Sequence, residues 1–109
     1  MISAINLKNI MDEISGKHCS PIDVAQVNDQ VVRMSYLDGE FHWHKHTNQD
    51  ELFYIIKGKL VIQLKDQPDI ILSAGQMAVI PKGVEHCPKS KEPSYILLFE
   101  PFVLQTRGD

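Results

Sequence analysis

From Pro21 onward the 109-residue chain is written in short runs of about five to seven residues, apolar throughout or alternating, each closed by turn residues. Strands are expected near 22–27, 30–37, 40–46, 51–57, 59–65, 69–73, 77–80, 84–87 and 94–100. Gly39, Gly58, Asp66-Gln67-Pro68-Asp69, Ala74-Gly75, Pro81-Lys82-Gly83 and Lys91-Glu92-Pro93 punctuate them. Eight or nine strands this short predict an all-β sandwich or barrel. Before them, Leu7, Ile10, Met11 and Ile14 recur at helical spacing, with Asn6 as N-cap and Gly16 as stop. A helix that short must dock on something to persist.

Some strands are apolar on both faces. Glu51, Phe53 and Ile55 point one way and Leu52, Tyr54 and Ile56 the other, and Ile96-Leu97-Leu98-Phe99 repeats the pattern. One face fills a barrel; the second needs cover from another sheet, the N-terminal helix or a second subunit. A homodimer is the expectation.

A chain of this size folds about two-thirds of its surface away, which sustains a core without disulfides. Its 43% hydrophobic and 23% charged residues are ordinary globular values. A net charge of −3 with no Lys/Arg cluster argues against a nucleic-acid partner. Cys19 and Cys87 show no CxxC spacing and read as two buried thiols in a reducing compartment. No run of 18 apolar residues is present to span a membrane, and the first residues lack the basic and apolar regions of a signal peptide. The expected location is the cytoplasm.

The chemistry lies in the histidines. His42, His44 and His46 follow at period two, so a strand through them places all three on one face. Glu51 follows across the turn Thr47-Asn48-Gln49, and His86 comes after Pro81-Lys82-Gly83-Val84-Glu85. Imidazoles and a carboxylate converging from neighbouring strands make a nitrogen/oxygen site for a divalent transition metal. A lone strand histidine is usually only a hydrogen-bonded residue. Three on one face are different, because packing imidazoles together costs desolvation and, where charged, repulsion. A metal resolves that conflict by requiring neutral imidazoles beside a carboxylate. Asp50, Trp43 and Cys87 alternate away from this face. Gly58, Gly75 and Gly83 are turn residues; no helix follows them, so no phosphate-binding loop is present.

These residues resemble the two motifs of the cupins, small double-stranded β-helix (jelly-roll) barrels. The first motif reads G-x5-H-x-H-x3–4-E-x6-G, and Gly39, His44, His46, Glu51 and Gly58 follow it with one residue fewer after Gly39. The second reads G-x5-P-x-G-x2-H-x3-N, and Gly75, Pro81, Gly83 and His86 follow it, with Ser90 in place of Asn. The resemblance implies one cupin domain over 1–109, with motifs at about 39–58 and 75–90, and a short N-terminal helix outside the barrel. It carries the family's metal ligands onto His44, His46, Glu51 and His86. Mn, Fe, Co, Ni, Cu and Zn all accept such a set. Small cupins of this kind are often labelled mannose-6-phosphate isomerase-like, a label that says little about substrate.

Two functions compete. One is a metalloenzyme acting on a small polar organic molecule, of the dioxygenase, isomerase or lyase type, with His42 and Tyr36 as candidates for proton transfer. The other is a small-molecule or sugar binding module in which the metal is structural or an anchor. A fused DNA-binding helix-turn-helix is not expected.

Overall fold

A computed structural model describes residues 2–109. It contains α1 (Leu7–Ile14), then β1 (Ile22–Val27), β2 (Gln30–Glu40), β3 (Glu51–Lys57), β4 (Lys59–Leu64), β5 (Ile70–Ser73), β6 (Met77–Ile80) and β7 (His86–Pro101). All strand pairs are antiparallel, and neighbours run β1-β2-β7-β3-β6, with β4 joining β7 to β5.

The sheet wraps because β7 serves two neighbours in turn. Its first residues pair with β4, from Leu64↔His86 to Val61↔Lys89. Its later ones pair with β3, from Lys57↔Tyr95 to Leu52↔Phe99. Inside the wrap, Leu37, Phe53, Ile55, Leu60, Ile62, Leu72, Ile80, Ile96 and Leu98 form the core. This is the jelly-roll barrel that the alternation in β3 and β4 calls for.

Seven strands replace the nine expected, for two reasons. The segments near 84–87 and 94–100 belong to one long strand. Lys91-Glu92-Pro93 is not a turn but a bulge, where β2 skips between Leu37↔Ser94 and Gly39↔Ser90. Pro93 is tolerated there because the register demands no ladder hydrogen bond from it. Ser90, standing where the motif has Asn, closes the same irregularity by donating its hydroxyl to the Leu37 carbonyl at 2.8 Å. The expected strand at 40–46 is also absent. Glu40 ends β2 opposite Lys89, Phe41 N–H donates to the Pro88 carbonyl at 2.9 Å, and beyond them His44 forms an isolated bridge to His86.

Helix α1 forms where its spacing predicts, with the Asn6 side chain accepting from Lys8 N–H at 3.0 Å. Its apolar stripe covers part of the second face, as Ile14 packs with Met34 and Tyr36, flanked by Ile10, Met11, Ile56 and Leu97. Met77, Val79 and Phe99 stay uncovered, at 58%, 53% and 39% exposure. No helix among the described residues is long and apolar enough to cross a membrane.

Candidate metal centre

His44, His46, Glu51 and His86 converge, and one ligand atom from each lies within 4.8 Å of the others. Three segments bring them together. Glu51 opens β3 on its inward face, ahead of Phe53 and Ile55. His86 opens β7, bonded to His44 in both directions: His44 N–H donates to the His86 carbonyl at 3.0 Å and His86 N–H to the His44 carbonyl at 2.9 Å. His46 is held by the Pro81-Lys82-Gly83 turn, where Gly83 N–H donates to its carbonyl at 2.8 Å. Asp50 points away and braces that turn, accepting from Lys82 N–H at 2.8 Å.

Backbone carbonyls set two of the imidazoles. His86 Nδ1–H donates to Val84 O at 2.9 Å and His44 Nδ1–H to His42 O at 2.8 Å. A carbonyl only accepts, so Nδ1 carries the proton and Nε2 turns a lone pair inward. Glu51 Oε1 lies 3.2 Å from His46 Nε2 and 3.6 Å from His86 Nε2. Yet His46 Nδ1 and Nε2, His86 Nε2 and Glu51 Oε1 are buried without any hydrogen-bond partner. An unpaired buried polar atom costs about 1–3 kcal/mol, and several pointing at one spot are tolerable only if something binds them. A divalent cation fits that donor set: it accepts imidazole nitrogen and carboxylate oxygen together.

Electrostatics lean the same way. Burial lowers the His44 pKa to about 4, with His86 and His46 adding to the shift, so this imidazole stays neutral at physiological pH. Burial pushes Glu51 upward, but the contacts from His46, His86 and Glu100 outweigh it and hold the carboxyl down at about 2.

Beneath Glu51 lies a residue the motifs do not contain. Glu100 is fully buried, and its carboxyl is driven up to about 9 by burial and by the Glu51 charge beside it. Arg33 Nη1 approaches Glu100 Oε1 at 3.4 Å, off hydrogen-bond alignment. Two adjacent carboxyls in a dry site cannot both ionise, and here Glu51 holds the charge while Glu100 holds the proton. The alternation Ile96, Leu98, Glu100 on one face of β7 is the signal that would have found it.

The remaining candidates fall elsewhere. His42 does not join the cluster; its Nε2–H donates to the Arg107 carbonyl at 2.8 Å. Tyr36 is packed under α1, edge-on to Tyr95 at 5.4 Å between ring centres, and does not line the cavity. Cys87 is buried and Trp43 is half exposed. A cavity of about 240 Å³ opens on His44 and Glu51, walled by Leu37, Phe41, Phe53, Ile96 and Leu98.

The sheet order is that of the barrel the motifs imply, and the two motif segments bring His44, His46, Glu51 and His86 together. A cupin domain profile matches residues 28–99, most of the chain. This chain belongs to the cupin family. The cupin is 39% identical over 85 residues to the uncharacterized protein YdbB of Bacillus subtilis, covering 78% of this chain and 74% of that one. It is 23% identical to 3-hydroxyanthranilate 3,4-dioxygenase of Xenopus laevis, over its whole length but only 40% of the dioxygenase. Among solved structures it resembles a cupin-2 domain containing protein from Shewanella frigidimarina, with a TM-score of 0.83 and 43% identity over 90% of this chain and 94% of that one.

Proposed function

We propose that this cupin is a metal-dependent enzyme acting on a small organic molecule, with His44, His46, Glu51 and His86 holding a divalent transition metal. The observation that carries the reading is the set of partnerless buried atoms on His46, Glu51 and His86, of which Glu51 also lines the cavity beside His44. A metal held there supplies a Lewis acid that orients substrate or, if iron, a means of activating dioxygen. The chain supplies the rest. Val84 and His42 carbonyls aim the imidazoles, Glu51 contributes the anionic ligand, and the apolar wall keeps bulk water from the open side. The distant similarity to a dioxygenase supports the enzymatic reading.

One observation favours the alternative, a binding module with an anchoring metal. Apart from the ligands His44 and Glu51, the cavity lining includes no carboxylate or imidazole to move a proton. Elemental analysis of untagged protein should find close to one transition-metal ion per chain, with strong loss in both His86→Ala and Glu51→Ala. Metal content unaffected by either substitution would overturn the ligand assignment. Oxygen uptake and turnover screens on the loaded protein then separate enzyme from module.

The same reading includes a homodimer. Phe99, Leu52 and Val79 are register neighbours across β7, β3 and β6, an apolar row that α1 leaves uncovered. Light scattering should give about twice the 12.4 kDa chain mass. Two free, unpaired thiols suit a reducing compartment, and we place the protein in the cytoplasm.

A further inference from the structure

The cavity beside the cluster has an uneven lining. Buried Glu51 and half-buried His44 line it together with the exposed Arg107; the wall between is mainly apolar, with Phe41 and Leu98 among its residues, and Ser35 and Thr106 add hydroxyls. The chain's two arginines are used in opposite ways. Arg33 is fully engaged: its guanidinium donates to Asp23 at 2.9 Å, to the Phe102 carbonyl at 2.9 Å and to the Leu104 carbonyl at 3.1 Å, and it faces Glu100. No carboxylate among the described residues pairs with Arg107. Its guanidinium instead rests over the Phe41 ring, 5.6 Å from the ring centre.

Arg107 is nonetheless carried on a fixed piece of chain. Its carbonyl accepts from His42 Nε2–H at 2.8 Å. Asp109 N–H donates to the Lys45 carbonyl at 3.1 Å, and the Asp109 carboxylate accepts from Thr47 N–H at 3.1 Å. Gly108 lies so close that a Cβ there would stand 2.7 Å from His44 Cβ. The segment bearing Arg107 is thus strapped to the segment bearing the ligands His44 and His46. The Phe41 ring spans the interval, 5.2 Å from the His44 ring on one side and under the guanidinium on the other.

The geometry points to a ligand with an anionic group on Arg107, a compact apolar body along Phe41 and the cavity wall, and a donor atom at the His44/Glu51 end: a small carboxylate of one ring or a short branched chain. This rests on the proposed metal centre and adds the substrate class to it. The volume agrees, since about 240 Å³ is below the roughly 300–1,000 Å³ of pockets that take drug-sized ligands. Charge agrees too, because an unpaired guanidinium beside an apolar wall gains most from a carboxylate that can meet its planar fork. A neutral sugar would leave the wall facing hydroxyls with few partners. The role of His42 follows: it positions Arg107 by holding its backbone.

The test uses cobalt-loaded full-length protein and a matched pair of probes, 4-hydroxybenzoate and its neutral amide, 4-hydroxybenzamide. Titration calorimetry gives affinity, and the cobalt absorption spectrum reports arrival of a donor at the metal. We expect the carboxylate to bind about tenfold more tightly than the amide, and both to perturb the spectrum. Arg107→Gln should abolish the preference while leaving amide affinity unchanged. Arg107→Glu should reverse it, and Arg107→Lys should restore part of it. Equal binding of the two probes by the wild type, a preference that survives Arg107→Gln, or binding of neither probe to the loaded protein would each overturn the inference with the metal centre intact. Failure of cobalt to load in a His86-dependent manner would instead overturn the metal reading itself, so the two failures are distinct.

Discussion

Replacing Glu100 by glutamine should stabilise the metal-free protein, although it alters a fully buried residue that faces an arginine. Glu100 has its pKa raised from 4.5 to about 9, first by burial and then by Glu51. Between those values the folded chain holds a proton that the unfolded chain has released. The unfolded state binds fewer protons, so this residue makes stability fall as pH rises from 4.5 toward 9. Each pH unit is worth about 1.36 kcal/mol, and full development of the term to pH 7 would reach about 3 kcal/mol. Arg33 at 3.4 Å and the coupling to Glu51 reduce it, leaving about 1–3 kcal/mol. Glutamine keeps the shape, offers N–H to Glu51 and an oxygen to Arg33, and never ionises. At pH 7 Glu100→Gln should therefore raise the thermal midpoint by roughly 5–10 °C, the scale for a domain of this size. The gain should shrink to about 0.4 kcal/mol near pH 4.5, where the folded carboxyl is protonated and its unfolded form half so. Unfolding in the presence of chelator at pH 4.5, 6 and 7.5 measures this directly. A gain independent of pH, or a less stable variant at pH 7, would refute the protonated-carboxyl argument.

The other predictions concern neighbouring residues. His44, lowered to about 4, is neutral in the fold while its unfolded form protonates below 6.5, so metal-free stability should drop by about 1–2 kcal/mol as pH falls from 6.5 to 4. His44→Ala should flatten that part of the urea-denaturation profile. Gly58 has φ +96°, and a Cβ there would meet the Ser94 side chain and stand 2.8 Å from its Cα. Gly58→Ala should lower stability by about 1–3 kcal/mol in urea, with metal content per folded chain unchanged. His42→Ala should keep full metal content and loosen residues 106–109, seen as faster amide exchange at Asp109, whose N–H bonds to the Lys45 carbonyl.

Residue spacing alone settles local matters. Period-two alternation assigns Phe53 and Ile55 to the core, and helical spacing assigns Ile14 and its neighbours to a docked helix; both depend only on which side of a repeating backbone a residue occupies. The four residues of the motifs were legible for the same reason, since their spacing is short and their chemistry distinctive. The rest depends on register between distant segments. His44 needs no strand of its own, because a bridge to His86 places it. Lys91-Glu92-Pro93 becomes a bulge, because β7 must continue past it to reach β3. Tyr36 lies beneath α1, and His42 bonds the last residues of the chain instead of the cluster. The pairing of Glu51 with Glu100 and the placement of Arg107 beside the cavity join residues about fifty or more positions apart. Such contacts carry no local signature, because burial and charge act through space once the barrel has closed.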